Sequence, residues 1–279
     1  MRSETSSFVD RGVRVLGQKL LERVPSLERS LLTVRDRYAR AWVRTRNLVN
    51  NVHYAAPPEP YRLLEIDPAT IERGVQLRRP KFRETAVVTD GDWDRGDFVF
   101  DDLDVYRSYV AHFDRGVPWE ETPFYDRVVE EIESGNPRWG CRTESAFRDR
   151  CQRLEQLYDR LQIDGYQSQS ELCGGSPGGH TDDGVGEDPI DHQRRSELLT
   201  ERMKDEIAVH IDRNGELLFV DGRNRLSMAK LIGLDRIVVH VLRRHSDWQA
   251  VRDAYVRGES WTRTHDHHPD IAALEFGSK

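Results

Sequence analysis

The segment 207–242 constrains this chain more than any other part of it. Ile207-Ala208-Val209-His210-Ile211 has the look of a strand. Arg213-Asn214-Gly215-Glu216 follows, and an Asn-Gly pair supplies the positive φ angles that tight hairpin turns need. Leu217-Leu218-Phe219-Val220 reads as the return strand. Asp221-Gly222 breaks it, residues 226–232 read as a helix, and Gly233 stops that helix. Ile237-Val238-Val239-His240-Val241-Leu242 is then a third strand. A hairpin joined through a helix to a further strand gives an α/β (α+β) fold.

Ahead of this unit the chain is mostly helical. Residues 7–47 read as two helices. Val9, Val13, Leu16, Leu20 and Val24 recur at spacings of four and three, and Pro25 interrupts them. Ser26 can cap a second helix with Leu27, Leu31, Val34, Tyr38 and Trp42 on one face. Such a pair either packs on its own domain or serves as a basic amphipathic anchor. Pro57, Pro58 and Pro60 mark a boundary. Residues 1–52 are therefore an N-terminal helical extension, and the main domain runs over 61–279. Residues 61–66 suit a short strand, and Pro68-Ala69-Thr70-Ile71 suits the start of a short helix. Val87-Val88 and Phe98-Val99-Phe100 read as two strands joined by the polar turn Gly91-Asp92-Trp93-Asp94. Segments 101–115 and 122–134 look helical, with Val105, Tyr109 and Phe113 on one face. The clearest long helix is 143–164, where Phe147, Cys151, Leu154, Leu157, Tyr158 and Leu161 keep helical spacing up to Gly165. Residues 173–197 mix glycines with Asp182, Asp183, Glu187, Asp188 and Asp191 and read as a flexible loop.

The turn at 221–225 carries the chemistry. A strand ends, a glycine permits a tight turn, and a helix begins at once. The first helical amides have no intrahelical partners and carry partial positive charge, a combination that favours phosphate. Arg223 and Arg225 add bidentate donors. Asp221 would repel phosphate unless it holds a metal, caps the helix or takes a proton. It is a candidate metal ligand or general base, against the plain alternative of a capping residue beside surface arginines.

Residues 219–230, with Gly233-Leu234 and Ile237-Val238-Val239, resemble the ParB/sulfiredoxin superfamily. Its members carry a strand, a Gly-x-x-Arg turn, a helix ending near Gly-Leu and a return strand. Leu157-Tyr158-Asp159-Arg160-Leu161 before Gly165-Tyr166-Gln167 is similar to the family's helix ahead of a Gln-containing turn, and residues 63–71 to its opening strand and short helix. The resemblance implies a small mixed sheet with a large helical insertion at about 73–156. It implies contact between Gly222, Arg223, Asn224 and Arg225 and the phosphates of a nucleotide (ATP, ADP or CTP) with magnesium. Sulfiredoxins place a reactive cysteine in this turn, where the present chain has Arg223 and Asn224, so their repair chemistry is not expected. ParB proper adds a helix-turn-helix domain, for which the 37 residues after Leu242 are too few. The archaeal free-serine kinases carry Asp-Gly-His-His-Arg. Asp221, Gly222 and Arg225 keep that pattern, both histidines are absent, and Asn224 cannot titrate near neutral pH. Those kinases use a glutamate after the opening strand as base, for which Glu72 is the nearest match and Glu65 the alternative. The implied activities are phosphotransfer or NTP hydrolysis on a small-molecule or glycan-like acceptor. The alternative is a nucleotide-sensing or nucleic-acid-binding module without catalysis.

Charge separates the two ends of the chain. Residues 1–50 carry 11 Arg/Lys against 5 Asp/Glu, so with −7 overall the remainder carries −13. Contact with nucleic acid or an anionic membrane therefore falls to residues 1–50. Only 5 of the 42 basic residues are Lys, a composition that resembles salt-adapted archaea and that a GC-rich genome alone would also favour. Sequence gives no transmembrane segment, no secretory signal and no disulfide framework, and so a cytoplasmic protein with an optional peripheral membrane role. Arg243-Arg244-His245 with Trp248 could bind a second phosphate or stack on a base, because the third strand is expected to end beside the phosphate turn. Gln167 and Gln169 could line the pocket. His265-Asp266-His267-His268 reads as a solvated tail, and Cys141, Cys151 and Cys173 as buried or incidental thiols.

Overall fold

A computed structural model describes residues 28–77, 79–136, 140–168, 203 and 205–275. The first expected helix, the 173–197 loop, Gln169 and Cys173 lie outside them.

Helix α1 (Glu28–His53) leads to β1 (Leu63–Ile66) and a 3-10 turn, Pro68–Thr70, whose Ala69 amide donates to the Asp67 carboxylate at 2.8 Å. Short elements follow: β2 (Arg73–Gly74), α2 (Lys81–Glu84), β3 (Val87–Thr89) and β4 (Phe98–Val99). A helical block comes next. It holds α3 (Asp104–Tyr109) running into a π turn, α4 (Pro123–Glu133) capped by Thr122, and α5 (Glu144–Asp164) capped by Thr143. The chain then forms β5 (Ala208–Ile211), β6 (Leu217–Asp221), α6 (Arg223–Ile232), β7 (Ile237–His245), α7 (Ser246–Val256) and α8 (Pro269–Glu275).

The seven strands form one mixed sheet in the order β1-β7-β5-β6-β2-β4, with β3 also pairing to β7. β7 is long enough for two neighbours on one side. Its first half pairs antiparallel with β1, and its last three residues pair parallel with β3. The Asn-Gly turn joins β5 and β6 as expected, and the Asp212 carboxylate accepts the Asn214 and Glu216 amides at 2.8 Å each.

Both faces of the central strands are covered, which is why they read as nearly unbroken apolar runs. On one face Val209, Ile211, Leu217, Phe219, Val239 and Val241 pack with Leu226 and Ala229 of α6 and with Trp248. On the other, Ala208, Leu218, Val220 and Leu242 pack with Val75. The helical block has its own core of Tyr109, Phe124, Phe147, Leu154 and Leu157, which Met228 of α6 enters. Helix α6 is thus buried between the sheet and the helical block, and its N-terminus opens where the two meet.

Four expectations change. The 87–100 strands exist, but they are not a hairpin: β3 pairs with β7 and β4 with β2. Because β2, β3 and β4 join the sheet, the separate helical part of the 73–156 segment begins only near residue 100. Helix α1 turns a different face inward from the one its apolar spacing nominated. Asp36, Ala39, Val43 and Asn50 are buried, whereas Val34, Tyr38, Trp42, Leu48, Val49 and Val52 are exposed. The His265–His268 segment is part of the fold. His268 lies 4.4 Å from the Trp248 ring and donates from Nε2 to the Gly215 carbonyl at 2.8 Å. No helix among the described residues is long and apolar enough to cross a membrane.

Candidate functional site

The turn between β6 and α6 is set by Gly222. Its φ is +93°, and a Cβ there would sit 2.9 Å from the Ile207 Cα, so both the angle and the space demand glycine. α6 begins at once, with Leu226 N–H donating to the Gly222 carbonyl at 3.1 Å. No side chain caps this helix end, so the partial positive charge of its first amides faces the cleft in front of it.

That cleft holds about 340 Å³ and is lined by Lys81, Arg150, Asp205, Asp221, Arg223, Asn224 and Arg225, with Phe219, Val220 and Gly222 at its base. Four cations face two carboxylates. They arrive from three places in the sequence: α2 brings Lys81, α5 brings Arg150, and the first turn of α6 brings Arg223 and Arg225. Arg150 is 1% exposed and Arg225 is 4% exposed, unusual for arginine away from a functional or ion-paired setting. Asn224 is 3% exposed, and its Oδ1 has no hydrogen-bond partner among the described residues.

Asp221 and Lys81 form the centre of the cleft. Lys81 Nζ lies 2.9 Å from the Asp221 carboxylate and donates to the Glu206 carbonyl at 3.0 Å. Burial pushes the Lys81 pKa below its ordinary value, with Asp221 opposing and Arg225 adding to the shift. Partial loss of water in the cleft would by itself raise the half-exposed Asp221 carboxyl. The Lys81 charge and hydrogen bond, the Gly222 amide and Arg225 outweigh it and hold the carboxyl below its ordinary range. Burial likewise lowers Arg223, against the raising effect of Asp104.

The structure brings Asp221, Gly222, Arg223, Asn224 and Arg225 together and leaves the other candidates elsewhere. In the sheet register Ala208 lies opposite Asp221 and His240, whereas Ile211 lies opposite Leu217 and Arg244. β7 therefore ends beside the β5–β6 hairpin, at the opposite end of the sheet from Asp221, and the expected second phosphate contact is corrected. Arg243 pairs with Glu84 and covers the Trp93 ring at 4.8 Å. Arg244 and Arg252 clasp the buried Asp270, with Arg244 Nε at 2.9 Å, Arg252 Nη1 at 2.9 Å and Trp248 Nε1 at 3.0 Å. His245 caps α7, with Nδ1 accepting the Asp247 amide at 3.1 Å, and bonds the Gly91 carbonyl through Nε2. Asp94 pairs with Arg213 at 2.7 Å, which holds its carboxyl down at about 2. Glu72 and Glu65 line a separate cleft with Asp67, Arg73, Glu216 and His268, and neither lines the cleft at α6. Gln167 is likewise not among the residues lining either cleft. Burial raises the thiols Cys141 and Cys151, Cys151 to about 12, so neither is poised as a nucleophile.

Lys81 and Arg150 were absent from the sequence reading. Lys81 left no trace, since nothing near Pro80-Lys81 points 140 residues ahead. Arg150 did leave one. It stands between Phe147 and Leu154 on the apolar face of α5, where a charge is out of pattern unless it has work to do.

Fold and cleft together define an α/β protein with a cation-lined cleft at a buried helix N-terminus. Comparison with protein-family models, curated proteins and solved structures finds no match to the chain.

Proposed function

We propose that the chain binds nucleotide phosphates, or the phosphate of another phosphorylated ligand, in the cleft at α6, and uses it for phosphotransfer or NTP hydrolysis on a small-molecule or glycan-like acceptor. One observation carries the reading: Lys81, Arg150, Arg223 and Arg225 converge on an uncapped helix N-terminus. The resemblance of the strand, Gly222 turn and Arg225 to the ParB/sulfiredoxin superfamily supports it, and ATP, ADP and CTP are the candidate nucleotides. A volume of about 340 Å³ suits phosphates with part of a sugar and sits at the low end of small-molecule sites, roughly 300–1,000 Å³.

Magnesium fits this cleft in a limited way. It usually binds through one or two carboxylates plus substrate phosphates. Asp221, 51% exposed, and Asp205 can supply those carboxylates. No group of three or more His, Cys, Asp or Glu side chains that could hold a metal occurs among the described residues. When bound, the ion would neutralise phosphate charge. Asp221 and Asp205 would hold it, and Lys81 would serve a phosphate oxygen.

The Lys81–Asp221 pair also favours a second reading, binding without turnover. A carboxylate held below its ordinary pKa by a lysine is a poor proton acceptor. Turnover of ATP, ADP or CTP by the purified protein separates the two. Phosphotransfer predicts product that disappears in Asp221→Ala while nucleotide still binds. Nucleotide binding with no product in the wild type supports the sensing module, and unchanged turnover in Asp221→Ala removes the catalytic role of that residue. Nucleic-acid binding would in addition need the basic side chains of residues 1–50, so replacing the exposed Arg37 and Arg44 by Gln should weaken it and leave the fold intact.

A further inference from the structure

Helix α2 is too short to hold itself. It spans Lys81–Glu84 with no side-chain cap, and an isolated turn of that length has no stability of its own in water. It nonetheless carries Lys81, which reaches the phosphate cleft. What holds it is α1. Arg46 Nη1 donates to the Arg83 carbonyl at 2.7 Å and to the Thr85 carbonyl at 3.1 Å. Asn50 Nδ2 donates to the Ala86 carbonyl at 2.8 Å. These are the carbonyls at the end of α2, which its own turns do not satisfy. Ala86 sits at φ +58°, an angle a non-glycine residue adopts only when its surroundings impose it. The Arg83 guanidinium lies 4.0 Å from the Trp42 ring and donates to the Tyr38 hydroxyl at 2.8 Å, adding a second grip from α1. A separate anchor comes from the sheet, where Arg243 binds the buried Glu84.

We infer that α1 belongs to the phosphate site: Arg46 and Asn50 are positioning residues that lock the end of α2 so that Lys81 points into the cleft. The inference rests on the phosphate-binding reading and extends it to a helix some 170 residues away in sequence. Movement of α1 would withdraw one of the four cations, which makes the N-terminal helix a means of tuning phosphate affinity. Glu84 and Arg243 would keep α2 attached to the sheet meanwhile, so that Lys81 is loosened without loss of the fold.

Isothermal titration of the full chain with pyrophosphate tests this. Lys81→Met should weaken binding by about 10-fold or more, the range for one charged hydrogen bond of roughly 1.5–3 kcal/mol. Arg46→Ala with Asn50→Ala should weaken it by a similar factor. In a Lys81→Met background the same two changes should weaken it less than about 2-fold, because positioning has nothing left to position. Arg46→Lys, which keeps one donor nitrogen with N–H groups for both carbonyls, should recover most of the loss and guards against a variant that fails to fold. Equal losses with and without Lys81 would mean that α1 acts on the whole fold, and no loss would mean that it does not act on the cleft; either overturns the inference. A wild type that does not bind pyrophosphate overturns the cleft reading itself, and this inference with it.

Discussion

Gly222→Ala tests the link between backbone geometry and the phosphate cleft. Two costs add at this position. An L-residue in the left-handed region loses about 1–2 kcal/mol. The new Cβ would also stand 2.9 Å from the Ile207 Cα and 3.0 Å from its Cγ1, and the first of these is backbone that cannot swing aside. Forcing such a shift in a packed core costs about 1–3 kcal/mol. The total is about 2–5 kcal/mol. At roughly 2–4 °C per kcal/mol for a domain of this size, the thermal midpoint should fall by about 4–20 °C. Gly233→Ala is the control. It has a similar angle, φ +71°, but nothing within 4 Å of the added Cβ, so only the first cost applies. Thermal unfolding of both variants, followed by circular dichroism, isolates the contact with Ile207. The Ile207 shift should also turn the α6 N-terminus away from Lys81, so Gly222→Ala should lose about 10-fold in pyrophosphate affinity while Gly233→Ala does not. Equal midpoints for the two variants would refute the close approach. A normal affinity in a destabilised Gly222→Ala would refute the claim that this turn aims the helix end.

Asp270→Ala leaves Arg244 and Arg252 buried against each other and should destabilise the protein by about 3–5 kcal/mol in chemical denaturation. Acid should act through two buried histidines. Burial, with Arg243 nearby, holds His210 at about 3, and burial holds His240 at about 4. Both folded values lie below the unfolded value near 6.5, so this stability is intact above about pH 6.5 and drains away as pH falls towards 4. The thermal midpoint should drop over that window, and His210→Leu should flatten the drop. Arg150→Met should cut pyrophosphate affinity by about 10-fold in titration calorimetry. Glu72→Ala should leave that affinity unchanged, because Glu72 faces the other cleft.

Local patterns told most about the C-terminal unit. The hairpin, the Gly222 break, α6 and β7 depend on alternation and turn chemistry between neighbours in sequence, and they form there, although α6 starts at Arg223 and not at Leu226 and β7 runs on from Leu242 to His245. The cleft was half legible for the same reason, since Asp221 to Arg225 are contiguous. Its other half, Lys81 and Arg150, reaches the helix end only through tertiary packing. Arg243 to His245 failed for a matching cause. Strand direction at 237–242 was readable, but register and direction relative to β6 decide which end faces the cleft, and β7 runs opposite to β6 with β5 between them. Helix α1 was misread because its buried face mixes small apolar with polar residues, Ala39 and Val43 beside Asp36 and Asn50. Arg46 and Asn50 are turned towards the carbonyls after α2, while the larger apolar residues Val34, Leu48, Val49 and Val52 stay exposed.

The most direct test of the phosphate-site claim is a thermal-shift series of the wild-type chain with orthophosphate, pyrophosphate, ATP, ADP and CTP, each with and without magnesium. Binding to the folded state alone should raise stability by about 2.7 kcal/mol at a ligand concentration 100 times Kd. The expected result is a saturable rise in the midpoint with at least one of these ligands, lost when Arg223 and Arg225 are both replaced by Met. A midpoint that no ligand in the series moves, or one that moves equally after both arginines are replaced, would contradict a phosphate site at the α6 N-terminus.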